Sequence, residues 1–410
     1  MPSPREANTT RSEPVRVLIT DSDNRSALAA TRSLGRAGYK VFTAGEAHPS
    51  LASVSKYSAR FDAYCSPNRS PEEFVRDVAG IAEVNRIDVL LPMTEITTLL
   101  LTQHRHLLPA EVSLPFPDAA TVAAVADKSQ VLQQAERIGV PIPRTLVVTS
   151  AQDARDKAAQ IEYPAVFKPA RSRNWNGRQW VSSSTGYATR AEDLFARLER
   201  LDPAVFPVLV QERIVGPGVG VFVCCDGSAD DAGVLATFAH RRIREKPPSG
   251  GVSVLCESAE VDPVAKAHAV ALLNAMGWRG VAMVEFKQNS RDGSLRLMEI
   301  NGRFWGSLQL AVDAGVDFPA LAVEVALGRK RASVKSYRVG TRSRWLWGDV
   351  DAMLALLFRS RAQLNLPESH PGRWRTLLSF LRPWGARYEL ERSDDPKPAV
   401  LAAKRWLLRR

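Results

Sequence analysis

Several things are scarce in this 410-residue chain, and each absence excludes something. No run of eighteen or more apolar residues occurs, which argues against a membrane-spanning helix. The first fourteen residues, MPSPREANTTRSEP, are polar and lack an apolar core, so 1–14 reads as a disordered leader and not as a signal peptide. The four cysteines (Cys65, Cys224, Cys225, Cys256) show no CxxC spacing and lie in or near apolar segments. They read as buried thiols in a reducing cytoplasm, against zinc or a disulfide framework. No GxxxxGK[ST] is present, so a P-loop is excluded. The first turn, TDSDNRSA, carries no GxGxxG, and the reading as an NAD-dependent oxidoreductase falls with it.

What is present is enough apolar residue, 45%, for two or three domains with proper cores. The net charge of +11 is unevenly spread. Residues 329–410 carry 19 Lys and Arg against 7 Asp and Glu, so the rest of the chain is near neutral. Five of the nine tryptophans, Trp345, Trp347, Trp374, Trp384 and Trp406, fall in the same stretch.

The chain opens with VRVLIT, a helical NRSALAATRSLGRAG and a second strand, YKVFTA, which is a βαβ start. A further helix leads into IDVLLPM (87–93), and the pattern predicts a doubly wound α/β domain ending near Pro115. Thr94 and Glu95 follow at a strand's carboxyl end, where open sheets place ligands. Glu95 reads equally as an exposed acid at a helix N-terminus. Next, residues 116–145 form a helix-rich segment holding Asp127 and Lys128. In YPAVFKPA (163–170), Lys168 sits in an apolar strand, a pattern also met in a lysine whose stem lies along a core. The polar RSRNWNGRQWVSSSTG (171–186) suits a loop over phosphates, or a plain loop. VLVQERIVGPGVGVFV (208–223) reads as two strands about a Gly-Pro-Gly turn.

The most informative stretch is 281–307, VAMVEFKQNSRDGSLRLMEINGRFWGS. Two strands flank an Asp-Gly turn, which brings Glu285 nearly opposite Glu299. Glu299 and Asn301, two apart, share a strand face, with Arg303 just beyond. Both glutamates interrupt apolar runs, where an unpaired charge is costly. Two carboxylates and an amide oxygen suit Mg²⁺; a surface hairpin with ordinary acids is the plainer alternative.

In this order, DK, VFKPA with its polar loop, VLVQERIVG, MVEF and MEINGRFWGS resemble the ATP-grasp superfamily over about residues 15–330. The flavour is that of carboxylate–amine ligases and the synthetase halves of carbamoyl-phosphate synthase. The resemblance implies a fold of mixed α/β and α+β class. A Rossmann-like pre-ATP-grasp domain (15–115) precedes an ATP-grasp domain (116–330) with a lid at about 140–207, then a basic, Trp-rich helical extension (331–410). It implies that Lys128 and Lys168 hold ATP phosphates. It implies further that Gln211, Glu212 and Ile214 contact the nucleotide at a hinge, Ile214 through its main chain. By the same resemblance Glu285, Glu299 and Asn301 would ligate two Mg²⁺ ions, for which Mn²⁺ would substitute, and Arg303 and Lys168 would support the transferred phosphoryl group. GPGVGV departs from relatives that place an acid after the hinge for the ribose. Arg242 and Ser253, in HRRIREKPPSGGVSVLCES (240–258), are candidate substrate contacts with Glu95, whereas Arg244 and Glu245 read as surface residues.

The activity so implied is ATP-dependent activation of a small carboxylate as an acyl-phosphate, with ADP released, and coupling to an amine. Bicarbonate or carbamate activation, and a nucleotide-binding scaffold without turnover, are the alternatives. Partners would be ATP, the carboxylate and the amine, and a homodimer is one expected assembly. The tail reads as a packed lobe first and as an interfacial helix at the inner face of an anionic membrane second. No recognisable nucleic-acid fold accompanies its basic patch.

Overall fold

The computed structural model describes residues 13–228, 233–248, 250–329, 332–361, 363–364, 366, 372–382 and 385–408. Most of the expected leader, and Pro367, Pro371, Pro383 and Trp384 of the tail, lie outside the described residues. No helix among those described is long and apolar enough to cross a membrane.

The chain begins with β1 (Arg16–Ile19), α1 (Arg25–Arg36), β2 (Lys40–Gly45), β3 (Ser58–Ala63), α2 (Pro71–Val84), β4 (Val89–Leu91) and α3 (Glu95–Gln103). The strands form a parallel sheet in the order β3-β2-β1-β4. Val17, Leu18, Ile19, Val89, Leu90 and Leu91 are fully buried, as strands covered on both faces must be. Strand order reverses at β1, so the residues after β1 and β4 border one crevice. Asp21 staples that switch point: its buried carboxylate accepts from Thr20 Oγ1 and Thr97 Oγ1, each at 2.7 Å, and from Met93 N at 3.1 Å.

Residues 119–137 form two helices, not one continuous run: α4 (Ala119–Ala126) and α5 (Lys128–Arg137). Asp127 makes the break by capping α5, accepting from Ser129 N at 3.0 Å. Lys128 N then donates to Ala170 O at 2.8 Å, which fixes Lys128 beside the next sheet.

That sheet is built from β5 (Thr145–Val148), β6 (Ala165–Pro169), β9 (Gly186–Ala188) and β10 (Val208–Glu212), antiparallel in the order β5-β10-β6-β9. It carries α6 (Ala151–Asp156), the short hairpin β7 (Asn174–Trp175) and β8 (Trp180–Val181), and α7 (Ala191–Leu198). Its apolar cluster (Val148, Phe167, Leu194, Leu198, Val208) is separate from the main core. The two strands expected about the Gly-Pro-Gly stretch are present as β10 and the strand that follows it, and they lie in different sheets. β10 belongs to this sheet and β11 (Gly218–Cys225) to the next, so the Gly-Pro-Gly stretch links two sheets. Gly216, at φ +151°, lies where a Cβ would come within 1.8 Å of Gln288 O.

The main sheet runs β15-β14-β11-β12-β13-β16-β17. It comprises β11, β12 (Val234–Lys246), β13 (Val252–Ala259), β14 (Gly280–Gln288), β15 (Leu295–Asn301), β16 (Arg342–Arg344) and β17 (Arg387–Tyr388). With it go α8 (Pro263–Ala275), α9 (Leu308–Ala314), α10 (Phe318–Ala326), α11 (Leu346–Phe358), α12 (Arg373–Leu381) and α13 (Lys397–Leu408).

The basic tail is therefore woven into the body. β16 pairs with β13, and α11 packs on β12 and β13. Asp349, 1% exposed, takes Arg344 Nε at 2.7 Å and Arg244 Nε at 2.7 Å. Arg244, read from sequence as a surface residue, is thus an internal tie. At the far end Arg32 Nε and Asp395 Oδ2 lie 2.8 Å apart, both side chains 1% exposed. Asp395 also accepts from Ser55 Oγ at 2.7 Å and Lys56 N at 2.9 Å.

Breaking a buried pair leaves an uncompensated charge, so Asp395→Ala should cost about 3–5 kcal/mol. A shift of the urea midpoint at constant slope would measure it, and an unmoved midpoint would refute a stabilising role for the pair.

Candidate active site

Folding at Asp292-Gly293 sets β14 against β15 with Glu285 directly opposite Glu299 and Met283 opposite Asn301. A bulge after Glu285 shifts the register. Facing side chains on adjacent strands are close neighbours, so two carboxylates share one small space. Their side chains are only 24% and 28% exposed. Gly302 follows because Trp278 leaves no room: a Cβ there would meet its ring at 2.4 Å.

Cations from separate elements converge on the pair. Lys128 Nζ, at the start of α5, lies 3.3 Å from Glu299 Oε2 and donates to Ser172 Oγ at 3.3 Å. Arg242, on β12, donates to Glu285 Oε1 at 2.9 Å. Arg303 donates to Asn301 Oδ1 at 3.2 Å, and Asn301 Nδ2 to Glu299 Oε1 at 3.1 Å. Lys168, on β6, reaches across from the smaller sheet to Met298 O at 3.2 Å.

Electrostatics divide the pair. Burial and the facing Glu299 raise the Glu285 carboxyl above its ordinary range. Burial pushes Glu299 the same way, but Lys128, the Asn301 amide and Lys168 outweigh it and hold Glu299 low. Burial lowers the Lys168 ammonium to about 8, against the pull of Glu299.

Gln211 and Glu212 are separated by strand parity. Leu209 pairs with Lys168 and Gln211 with Val166, so Gln211 shares the face of Lys168. Glu212 points the other way and accepts from Arg144 N at 2.8 Å, and Gln211 and Glu212 both line a cavity of about 200 Å³ with Arg144 and Thr145. Ile214 is buried, and its carbonyl accepts from Lys287 Nζ at 3.3 Å. Ser253 is not brought to the centre: its buried hydroxyl faces Leu255 O at 3.4 Å within β13. His240 packs on Phe222 and next to Ser307 Oγ, and burial lowers its imidazole to about 3, so it is no base at neutral pH.

Glu95 lines both a slot beside Glu299, Asn301 and Lys128 and a cleft of about 590 Å³ at the carboxyl ends of β1 and β4. Ser172 and Arg303 join the two spaces. Arg25 and Arg173 line the cleft and escaped the sequence reading. The rule that singled out Thr94–Glu95, applied to TDSDNR after β1, would have found Arg25. Over the cleft, 171–186 is docked: Trp180 Nε1 donates to Pro67 O at 3.0 Å, and Arg171 Nε to Asp127 Oδ2 at 3.0 Å.

Among the described residues no group of three or more His, Cys, Asp and Glu converges as a metal site. Glu285, Glu299 and the Asn301 amide oxygen are the hard oxygen donors available. Two acids forced together, one of them raised by the other, are the arrangement a divalent cation would relieve.

The chain is similar to known proteins in sequence and in fold. Residues 207–348 match the family model described as ATP-grasp in the biosynthetic pathway with Ter operon. The N-terminal section of the carbamoyl phosphate synthase large chain of Methanopyrus kandleri is 26% identical over 279 residues, covering 65% of this chain and 48% of that one. The large chain of Methanothrix thermoacetophila is 23% identical over 220 residues, 51% of this chain and 19% of that one. This chain thus spans about half of the first relative and a fifth of the second. The L-amino acid ligase of Bacillus licheniformis superposes with a TM-score of 0.59 at 16% identity, covering 77% of this chain and 75% of that one. The biotin carboxylase domain of the Hydrogenobacter thermophilus 2-oxoglutarate carboxylase, solved with MgADP, ADP and bicarbonate, gives 0.61 at 16%, with 81% and 74% covered.

An NMR titration of the Lys168 side chain should show a midpoint at about 8, and Glu299→Gln should lower it further by removing an opposing carboxylate. The sign is that of a depressed lysine. Between pH 8 and 10.5 the unfolded chain binds the extra proton, so this group's contribution to stability rises with pH across that window. An ordinary lysine midpoint would contradict the burial.

The parallel α/β domain, the smaller antiparallel sheet and the main sheet meet at one carboxylate pair, and by the family model over residues 207–348 and by its relatives the chain is similar to ATP-grasp proteins.

Proposed function

We infer that the protein is an ATP-dependent ligase that converts a small organic carboxylate to an acyl-phosphate and couples it to an amine. The observation that carries this is the facing of Glu285 and Glu299 within a ring formed by Lys128, Lys168, Arg242 and Arg303. Such a ring matches a reaction in which two anions must meet and negative charge moves during transfer.

Glu285, Glu299 and Asn301 would hold Mg²⁺, two ions when fully loaded, and the cation would supply neutralisation of phosphate oxygens. Lys128 and Lys168 would bind β- and γ-phosphate oxygens. Gln211 and the backbone at Ile214 would contact the base. In the first step a substrate carboxylate oxygen bonds to the γ-phosphorus while the bond to the bridging β,γ-oxygen breaks and ADP leaves. In the second, the amine nitrogen bonds to the acyl carbon, inorganic phosphate leaves with the electron pair of the broken C–O bond, and the amine gives up a proton.

The cleft favours an organic acid over bicarbonate. Its volume of about 590 Å³ is far larger than that ion needs, and Arg25, Arg173 and Arg303 line it with Glu46 and Glu95. A carboxylate would sit toward Arg303, the arginine adjoining Asn301. Acyl-phosphates hydrolyse readily, and the segment 171–186 docked on Pro67 and Asp127 excludes water from that end.

ADP release from MgATP, with pooled amino acids and other small carboxylates, with and without bicarbonate, tests the reading. ADP formation should need an organic carboxylate, rise with an amine, and fall by roughly a hundredfold or more in Glu299→Gln. Dependence on bicarbonate alone would transfer the protein to the carboxylase-like reading, and MgATP binding without turnover to that of a scaffold. Failure to bind MgATP would overturn the assignment outright.

A further inference from the structure

The tail builds a second pocket that the reaction described above does not use. It measures about 560 Å³ and lies between β12 and the helices α11 and α12. One wall is apolar: Ile243, Ala352, Met353, Leu356 and Phe380. An adjoining groove of about 500 Å³ shares Arg242, Ile243, Arg244 and Ser379 with it. Together the two spaces present Arg241, Arg242, Arg244, Arg342, Arg375 and Arg382 against Glu245 and Asp349. Glu257 lies behind Arg241 and Arg342, and Asp349 is engaged by Arg244 and Arg344. Even with Glu257 counted, positive charge is in excess by three. Arg375 and Arg382 are exposed at the rim.

Arg242 connects this pocket to the centre. It lines the pocket, and it donates to Glu285 Oε1 at 2.9 Å and to Glu245 Oε1 at 3.2 Å. The cleft at the ends of β1 and β4 adjoins the centre through Arg303; this pocket does so through Arg242. A ligase with two organic substrates needs two approaches to the reacting phosphoryl group.

We propose that the pocket closed by α11 and α12 binds the acceptor substrate, a small organic anion with an apolar body. The apolar body lies against Met353, Leu356 and Phe380, and the anionic group on the rim arginines. An apolar wall favours burial of hydrocarbon, and arginines favour a planar carboxylate or a phosphate. The proposal rests on the ligase reading for the word acceptor, and on the pocket alone for the ligand's chemistry. It also gives the tail a task in the reaction, with Asp349 as the residue that holds the pocket's two walls together.

The test uses the full-length protein and 8-anilinonaphthalene-1-sulfonate, an apolar anion that fluoresces when bound, beside N-phenyl-1-naphthylamine, which has the same rings without the sulfonate. Saturable binding of the sulfonate to one site is expected, with the neutral probe weaker by roughly tenfold. Met353→Trp fills the pocket, and Arg375→Glu reverses an exposed charge without touching the core. Each should weaken the sulfonate by roughly tenfold and leave MgATP affinity within about twofold. Equal binding of both probes, or sulfonate binding indifferent to both variants, overturns the pocket. In an ADP-release assay the sulfonate should compete with the amine and not with ATP. Competition with ATP overturns the acceptor assignment. Probe binding that both variants weaken, in a protein that shows no ADP release with any carboxylate and amine, removes the ligase reading and the acceptor role with it, and leaves an anion site.

Discussion

Two carboxylates facing each other across adjacent strands set the terms for the rest of this structure. Glu285 and Glu299 cannot both be ionised, three-quarters buried and uncompensated. Four segments bring cations to them: α5 brings Lys128, β6 Lys168, β12 Arg242, and the turn after β15 Arg303. These come from both sheets and from the helix that bridges them. The repulsion at the pair therefore acts as a meeting point for elements far apart in sequence. It also explains an asymmetry. Glu299 has two lysines near it and stays low, whereas Glu285 has Arg242 and rises. A site of this kind is stable enough to fold and electrostatically unfinished, which is the condition in which polyphosphate with a divalent cation gains most by binding.

How much of this was legible in sequence follows from the range of the interactions. The Asp-Gly turn fixes register locally, so the opposition of Glu285 and Glu299 could be read from fifteen residues. The βαβ start and the strand-end position of Glu95 were legible because apolar runs of four to seven residues mark parallel strands. Other features depend on distant partners. Arg244 looked like one more surface arginine because Asp349 lies 105 residues away. Ser253 looked available because nothing local shows that its strand buries it. The break at Asp127 was there to read within the helix-rich segment, since Asp before Lys-Ser is a capping signature.

The tail shows the same limit on a larger scale. Composition set it apart, and a basic, Trp-rich stretch invites thoughts of a membrane or of nucleic acid. Several of its arginines are spent internally: Arg344 on Asp349, Arg342 on Glu257, and Arg392 on Asp313. Its acids in turn bind the α/β domain, Asp395 to Arg32 and Glu389 to Arg25, whose guanidinium also lies 4.1 Å from the Trp345 ring. Charge that looks like a surface signal in sequence is thus partly a set of internal ties.

Those ties bear on motion. The main sheet, the α/β domain and the tail share one continuous apolar core and are crosslinked by buried ion pairs, whereas the small sheet has its own core. It joins the main sheet through Gly216–Gly218, where a glycine with positive φ allows the chain to turn against Gln288. A body with a separate core and a glycine link moves more cheaply than one woven into its neighbours. Lys168 and Gln211 ride on that sheet, while Glu285, Glu299, Asn301 and Arg303 belong to the fixed part. Closure would therefore bring Lys168 and Gln211 toward a carboxylate pair that does not move. Lys168 lies beside Met298 O, where burial lowers its ammonium to about 8. An anion placed beside it would raise it again, and that charge–charge attraction is strongest when the sheet is shut.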